Sequence, residues 1–351
     1  MLNSRTYVAI PPGATIKELL VDRGMSQRDF AARMNLSEKH VSRLVNGEVQ
    51  LTPEVANKLE MVLGAPASFW SNLESNYRNA IIKVNDENTM DNDLLLSKQF
   101  PYREMAGYDW VPTVKSKTEE VICLRKFFEI SELSLLDKVD VVNLACRRLK
   151  FTEKGDLALL AWAQKAKIDS REINTDEIDI KKLKKQIPFI RNMTLEPPEV
   201  FCPQLKKILS ECGIALIFLP ALKGSFLHGA TFYYNGKIVV SMTDRGKDAD
   251  RFWFSLFHEL GHIVLGHINK PLKLTSEDEK AADSWAANVL IDNESYDDFI
   301  NHTDIFTKNA ICNFAQSIKI DPGIVVGRLQ KDNKIKYSQL NDLKKKYSIV
   351  A

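Results

Sequence analysis

His258-Glu259-Leu260-Gly261-His262 sets two imidazoles four residues apart, with a carboxylate directly after the first. Residues four apart share one helical face, so both rings can hold one zinc ion while Glu259 reaches a water on it. Zinc brings the pKa of such a water towards about 7, and a neighbouring carboxylate takes its proton and later passes one to a leaving amine. That is hydrolytic chemistry, as opposed to two histidines hydrogen-bonded in a core. A third ligand is required, and Glu279-Lys280-Ala281-Ala282-Asp283 supplies a Glu and an Asp again four apart. Glu279 is read as the ligand, with Glu277 and Asp278 as nearby substitutes. Asp283 would accept the remaining N–H of a ligand histidine and fix its tautomer. One zinc ion per chain is expected.

Other residues rank below these. His267 lies off the face shared by His258 and His262 and reads as a hydrogen-bonded structural histidine. His228 precedes Gly229 and a predicted hairpin whose edge would meet an extended peptide, where a histidine can stabilise an oxyanion. Tyr233 and Tyr234 are alternatives for that role. The aromatic run Phe252-Trp253-Phe254-Phe257 reads as core packing around the metal helix. No phosphate loop, Ser-His-Asp elbow or dinucleotide fingerprint occurs.

The elements that must position these residues follow from turns and periodicity. The helix of the first motif starts after Asp248 or Asp250 as cap, and a second runs from about Ser276 to Leu290. Asn235-Gly236 is a tight-turn pair between strands Ala230–Tyr234 and Lys237–Met242, and Ile214–Leu219 is a further strand. Cys202–Cys212 is helical and stops at Gly213. Upstream, apolar residues at intervals of three and four in Val121–Phe128, Val141–Leu149 and Leu157–Ala166 predict a small helical layer. The polar, acidic stretch Asp86–Asp93, followed by Pro101 and Pro112, reads as a linker. Tyr296–Ala351 is helical, with Lys344–Lys346 as a solvated face or frayed tail. The expected domains are residues 1–85, 86–195 and 196–351, and the class is α+β: an all-α N-terminal domain, a helical middle layer and an α+β C-terminal domain.

The N-terminal domain contains a helix-turn-helix. Arg28–Met34 and Glu38–Leu44 are two short helices, each with a capping serine, Ser26 and Ser37, and joined by Asn35-Leu36. Phe30, Ala31, Leu36, Val41 and Leu44 form the apolar set that packs them, leaving Glu38, Lys39, His40, Ser42 and Arg43 outward. Such a helix suits the major groove, its N-terminal side chains at base edges and Ser37 and Gln27 near phosphate. Residues 1–80 hold nine Lys/Arg against eight Asp/Glu. With so small a basic excess, a protein-binding helix-turn-helix is the alternative, unless a dimer doubles a local basic face.

The whole chain of 351 residues, 44% hydrophobic and 27% charged, has the balance of a globular protein and neither a disordered nor a collagen-like one. No apolar run reaches membrane-spanning length and residues 1–12 lack a secretory core, so a cytoplasmic protein with no membrane partner is expected. Five scattered cysteines, an odd number without a CxxC pair, read as reduced and mostly buried thiols. A net charge of +2 neither demands nor excludes a polyanionic partner.

The first motif resembles the XRE/Cro-repressor helix-turn-helix, and Pro12-Gly13, Ser26-Gln27, Val41–Gly47, Leu51-Thr52-Pro53 and Phe69-Trp70-Leu73 extend the likeness to HigA-type antitoxins. Arg251–His262, His267 and Glu279-x-x-x-Asp283-x-Trp285-Ala286 resemble the ImmA/IrrE family of zinc metallopeptidases. Large fused proteins of this type share the likeness as far as Pro322–Gln330. The resemblance implies a gluzincin-like fold for the C-terminal domain. Position 281 is Ala, where the family often has a second Glu. That favours Glu279 if the family ligand lies four before Asp283, and weakens the site if the missing Glu is the functional one. The resemblance further implies a transcriptional regulator, as a homodimer on double-stranded operator DNA, fused to a zinc endopeptidase that cleaves a repressor, a toxin or the chain itself near Asp86–Pro112. The alternative is a HigA-like repressor of a toxin–antitoxin pair whose zincin domain binds or senses without catalysis.

Overall fold

A computed structural model describes residues 2–137, 154–224, 228–243, 247–269 and 275–349. Val141–Leu149 and Cys146 lie outside the described residues. The chain divides into two compact units, Met1–Leu96 and Ser97–Ala351. Among the described residues no helix is long and apolar enough to cross a membrane.

In the first unit a small hairpin, β1 (Leu2–Asn3) and β2 (Val8–Ala9), precedes α1 (Gly13–Asp22), α2 (Gln27–Arg33), α3 (Glu38–Val45), α4 (Pro53–Leu63) and α5 (Ala67–Ser97). Local chemistry sets the boundaries. Ser26, Ser37 and Thr52 each accept a backbone N–H of the first turn, and Pro53 fills the first position of α4, where its missing N–H costs nothing. Ile16, Phe30, Val41, Leu59 and Trp70 form the core of this unit. The expected linker Asp86–Asp93 is instead part of α5. The stretch is polar but holds no Gly or Pro, and Tyr77 and Val84 before it and Asp93 at its end are buried along α5, so one face of the helix has contacts enough to keep it going.

The second unit opens with α6 (Tyr102–Gly107), α7 (Lys117–Phe128), α8 (Lys154–Ser170), α9 (Ile180–Asn192) and α10 (Pro198–Ser210). A three-stranded sheet follows, β3 (Ile214–Leu219), β4 (Gly229–Tyr234) and β5 (Lys237–Thr243), in the order β3-β5-β4. β3 runs parallel to β5 and β4 antiparallel to it, the Asn235-Gly236 turn closing the hairpin with both residues at positive φ (48° and 79°). Ile214, Leu216, Phe218, Ile238, Val240 and Met242 share the core with the helices that follow. Those are α11 (Ala249–Val264), α12 (Ser276–Leu290), α13 (Asn293–Asn301), α14 (Lys308–Ser317) and α15 (Pro322–Lys331).

Two expectations are corrected in this unit. Lys344–Lys346 is not a frayed tail: Lys345 and Lys346 are exposed as a solvated face would be, but all three lysines are paired and Lys344 is tucked in. Lys344 lies 2.7 Å from Asp250, Lys345 2.8 Å from Asp321, and Lys346 pairs with Asp248. The segment straps the start of α11, since Asp248 and Lys346 form a β-bridge and Trp253 Nε1 donates to Tyr347 Oη at 2.9 Å. Asp248 therefore begins α11 without a side-chain cap bond, its carboxylate being engaged by the strap. Of the cysteines, Cys123, Cys202 and Cys312 are only half-buried, whereas Cys212 is buried; burial pushes the Cys202 thiol up to about 11.

Candidate functional site

α11 buries Phe252, Trp253, Leu256, Phe257, Leu260 and Ile263, a three-and-four spacing that leaves His258, Glu259 and His262 along one border of the apolar face. α12 starts with a capping box in which Thr275 Oγ1 accepts from Asp278 N, while Asp278 Oδ2 accepts from Thr275 N. The two helices approach closely at Gly261, where a Cβ would stand 3.1 Å from Trp285 Cε3 and 3.4 Å from Ala282 Cα. That approach lets side chains on the first turns of α12 reach the histidines.

Donor atoms of His258, His262 and Glu279 lie within 4.8 Å of one another. The two Nε2 atoms are 3.1 Å apart, and Glu279 Oε2 is 3.4 Å from His258 Nε2 and 3.9 Å from His262 Nε2. Donors on a tetrahedral ion with bonds near 2.0–2.2 Å stand about 3.3–3.5 Å apart, so two imidazoles and a carboxylate at these separations fit zinc in both spacing and chemistry. His258 Nδ1 is 2.8 Å from Asp283 Oδ1. Of the two substitutes, Asp278 is engaged by its capping box and Glu277 is exposed outside the cluster, which leaves Glu279 as its acid.

The electrostatics favour a cation. Burial opposes charge on His258, yet the Asp283 and Glu279 carboxylates outweigh it and hold the imidazole up at about 10. Burial and the neighbouring His258 push His262 down to about 4. The hydrogen bonds from His258 hold both Glu279 and Asp283 below the usual carboxylate range. Burial raises the Glu259 carboxyl, the direction that suits a proton acceptor working near neutral pH.

Beside the cluster lies a cavity of about 560 Å³ whose walls include His228, Arg251, Phe254, Glu259, Ile324 and Lys331. Tyr233 is 52% exposed on the far half of β4, and Tyr234 Oη accepts from Arg171 at 3.0 Å; neither lines the cavity. Three neighbours of the site lie outside the sequence-based expectations. Thr231 Oγ1 donates to Glu259 Oε2 at 2.6 Å, and a Cβ on Gly229 would meet Glu259 Cγ at 2.9 Å. The period of two that puts Gly229 and Thr231 on one face of a strand was the available signal. Lys331 Nζ, 3.5 Å from Asp283 Oδ2, had no local signal.

In the first unit, the outward face of α3 carries Glu38, Lys39 and Arg43, with Ser37 and Gln27 exposed nearby. His40 and Ser42 are only half-buried rather than open, and His40 Nε2 is buried without a hydrogen-bond partner among the described residues. Position 40 lies in the same row as the buried Leu44, which draws its ring inward. Arg28 and Glu38 are 3.7 Å apart and Arg43 and Glu48 3.5 Å.

A capped helix pair with an exposed second helix, in one chain with a half-buried His/His/Glu cluster beside a cleft, defines a helix-turn-helix protein with a peptidase-like unit. Residues 16–70 match the family described as Helix-turn-helix, and residues 252–316 the family described as Peptidase U49. The chain belongs to the helix-turn-helix transcriptional regulators. The Escherichia coli (strain K12) protein named "Uncharacterized HTH-type transcriptional regulator YddM" is 41% identical over 64 residues, 18% of this chain and 68% of that protein.

Proposed function

We propose that the chain is a cytoplasmic regulator that binds operator DNA through α3 and hydrolyses a protein through one zinc ion held by His258, His262 and Glu279. The observation that carries this reading is the convergence of those three donors beside Glu259 and an open cleft. When bound, zinc supplies a Lewis acid that polarises the scissile carbonyl and acidifies water. Asp283 fixes the His258 ring through Nδ1. Glu259, held by Thr231, takes the proton of the attacking water and returns it to the leaving amine. β4 ends the sheet on the side of this cleft, and an extended substrate would pair along it with His228 at the developing oxyanion. The likeness to ImmA/IrrE metallopeptidases and to a gluzincin-like fold belongs to this reading, as does a homodimer on a two-fold operator. The outward side chains Glu38, Lys39 and Arg43 would face the bases, with Gln27, Ser37, His40 and Ser42 around them.

Elemental analysis of the purified chain tests it. About one zinc per chain, lost in His262→Ala and Glu279→Ala, is the expected result. No zinc after reconstitution would overturn the peptidase reading and leave a repressor whose second unit only binds. Zinc with an unchanged regulatory phenotype in Glu259→Gln would point the same way.

A further inference from the structure

The two histidines of the cluster have unequal supports. His258 meets its carboxylate directly, Nδ1 to Asp283 Oδ1 at 2.8 Å. His262, 3% exposed, has another histidine on its outer nitrogen, since His262 Nδ1 and His267 Nδ1 are 3.0 Å apart. The far side of the His267 ring faces an acid, with Nε2 3.6 Å from Asp278 Oδ1. Asp278 Oδ2 accepts from both the backbone N and the Oγ1 of Thr275 at 3.0 Å. His267 and Asp278 are themselves buried, at 7% and 6% exposure.

We propose that His267 and Asp278 are positioning residues that select the metal-binding tautomer of His262. The inference rests on the zinc reading above. Two imidazoles joined Nδ1 to Nδ1 share one proton, and the chain of donors can run in either sense. If His267 carries its proton on Nε2, facing the Asp278 carboxylate, its Nδ1 is an acceptor. His262 must then donate from Nδ1, and its Nε2 lone pair faces His258 and Glu279 as a ligand requires. If the sense is reversed, His262 carries its proton on Nε2 and points an N–H at the metal position. The negative charge of Asp278 favours the first sense, because a proton on the near nitrogen of His267 then faces the carboxylate 3.6 Å away, whereas the second sense turns a lone pair towards it. The same acid closes the capping box of α12, which ties the tautomer of His262 to the start of the helix that delivers Glu279.

Asp278→Asn reverses the polarity with almost no change in shape. The two Thr275 donors hold the amide oxygen, so the amide N–H₂ faces His267 Nε2 and forces its proton onto Nδ1. Zinc affinity of the full chain, measured by chelator competition, should fall roughly 10- to 100-fold while metal-free unfolding stays near wild type. His267→Gln, whose amide oxygen can still accept from His262 Nδ1, should bind more tightly than His267→Phe by about tenfold. With cobalt in place of zinc, the visible absorption band should move in Asp278→Asn and return in part in His267→Gln. Unchanged affinity in Asp278→Asn in a chain whose wild type binds zinc would overturn the relay alone. Equal weakening by Gln and Phe at position 267 would do the same. A wild-type chain that takes up no zinc would overturn the metal reading and the relay with it.

Discussion

The two functional regions are positioned by opposite means. In the helix-turn-helix Glu38, Lys39 and Arg43, proposed to face the bases, stand exposed on a helix of eight residues, and the serine that starts the helix sits next to them in sequence. In the second unit Glu259 is 8% exposed, and each side chain proposed to do the chemistry is held by a partner from another element: Thr231 from β4, Asp283 from α12, His267 beyond α11. A surface reader needs a rigid helix and little else. A hydrolytic centre needs water excluded and each donor aimed, which requires a surrounding shell of contacts.

The largest expected contrast is functional. Glu259→Gln keeps the shape and the Thr231 contact but not the proton acceptor, so cleavage should drop about 10²- to 10⁴-fold with zinc content unchanged. Substituting Lys39 on the other unit should leave cleavage of a separate substrate untouched and weaken duplex DNA binding. Loss of zinc together with activity in Glu259→Gln would break the comparison, because the residue would then be structural.

Stability should divide in the same way. Lys344 and Asp250 form a buried pair with side chains 10% and 8% exposed. Removing one member leaves a buried charge, so Lys344→Ala should cost about 3 kcal/mol in urea unfolding and loosen the start of α11. Ser37→Ala removes one cap bond and should cost about 1 kcal/mol, confined to α3 and read by amide exchange at His40. Equal costs would mean that the strap is no more than a surface contact.

This contrast also decides what was legible in the sequence. Both histidines, Glu279, the serine caps and the Asn235-Gly236 turn depend on neighbours within a few residues, and the structure brings those histidines and that acid together. The support of the site depends on residues far apart in the chain. Thr231 and Glu259 are 28 positions apart, and Lys344 and Asp250 are 94. A lysine triplet has the same local appearance whether solvated or paired, so the strap was misread as a tail. The polarity of Asp86–Asp93 reads as a linker, yet without helix breakers it continues α5, and the two units divide just beyond it, after Leu96.

The smallest expected effect lies in the first unit, at a contact that joins residues more than eighty positions apart. Glu87 on α5 accepts from Ser4 Oγ at 2.5 Å, Thr6 Oγ1 at 2.6 Å and Thr6 N at 2.9 Å, pinning the β1–β2 hairpin. The Ser4 and Thr6 hydrogen bonds, with help from Arg5, hold its carboxyl down at about 2, from 4.5. A carboxyl depressed by folding stabilises the folded form above its unfolded value and loses that contribution as pH falls through the folded one. The latch should therefore be complete above pH 4.5 and released between 4.5 and about 2. Protection of the Thr6 amide, taken relative to its intrinsic exchange at each pH, should fall over that window while that of α2 and α3 amides holds, and Glu87→Gln should remove the pH dependence of protection. Thr6 protection that is flat with pH in the wild type would show the latch to be no more than a surface contact.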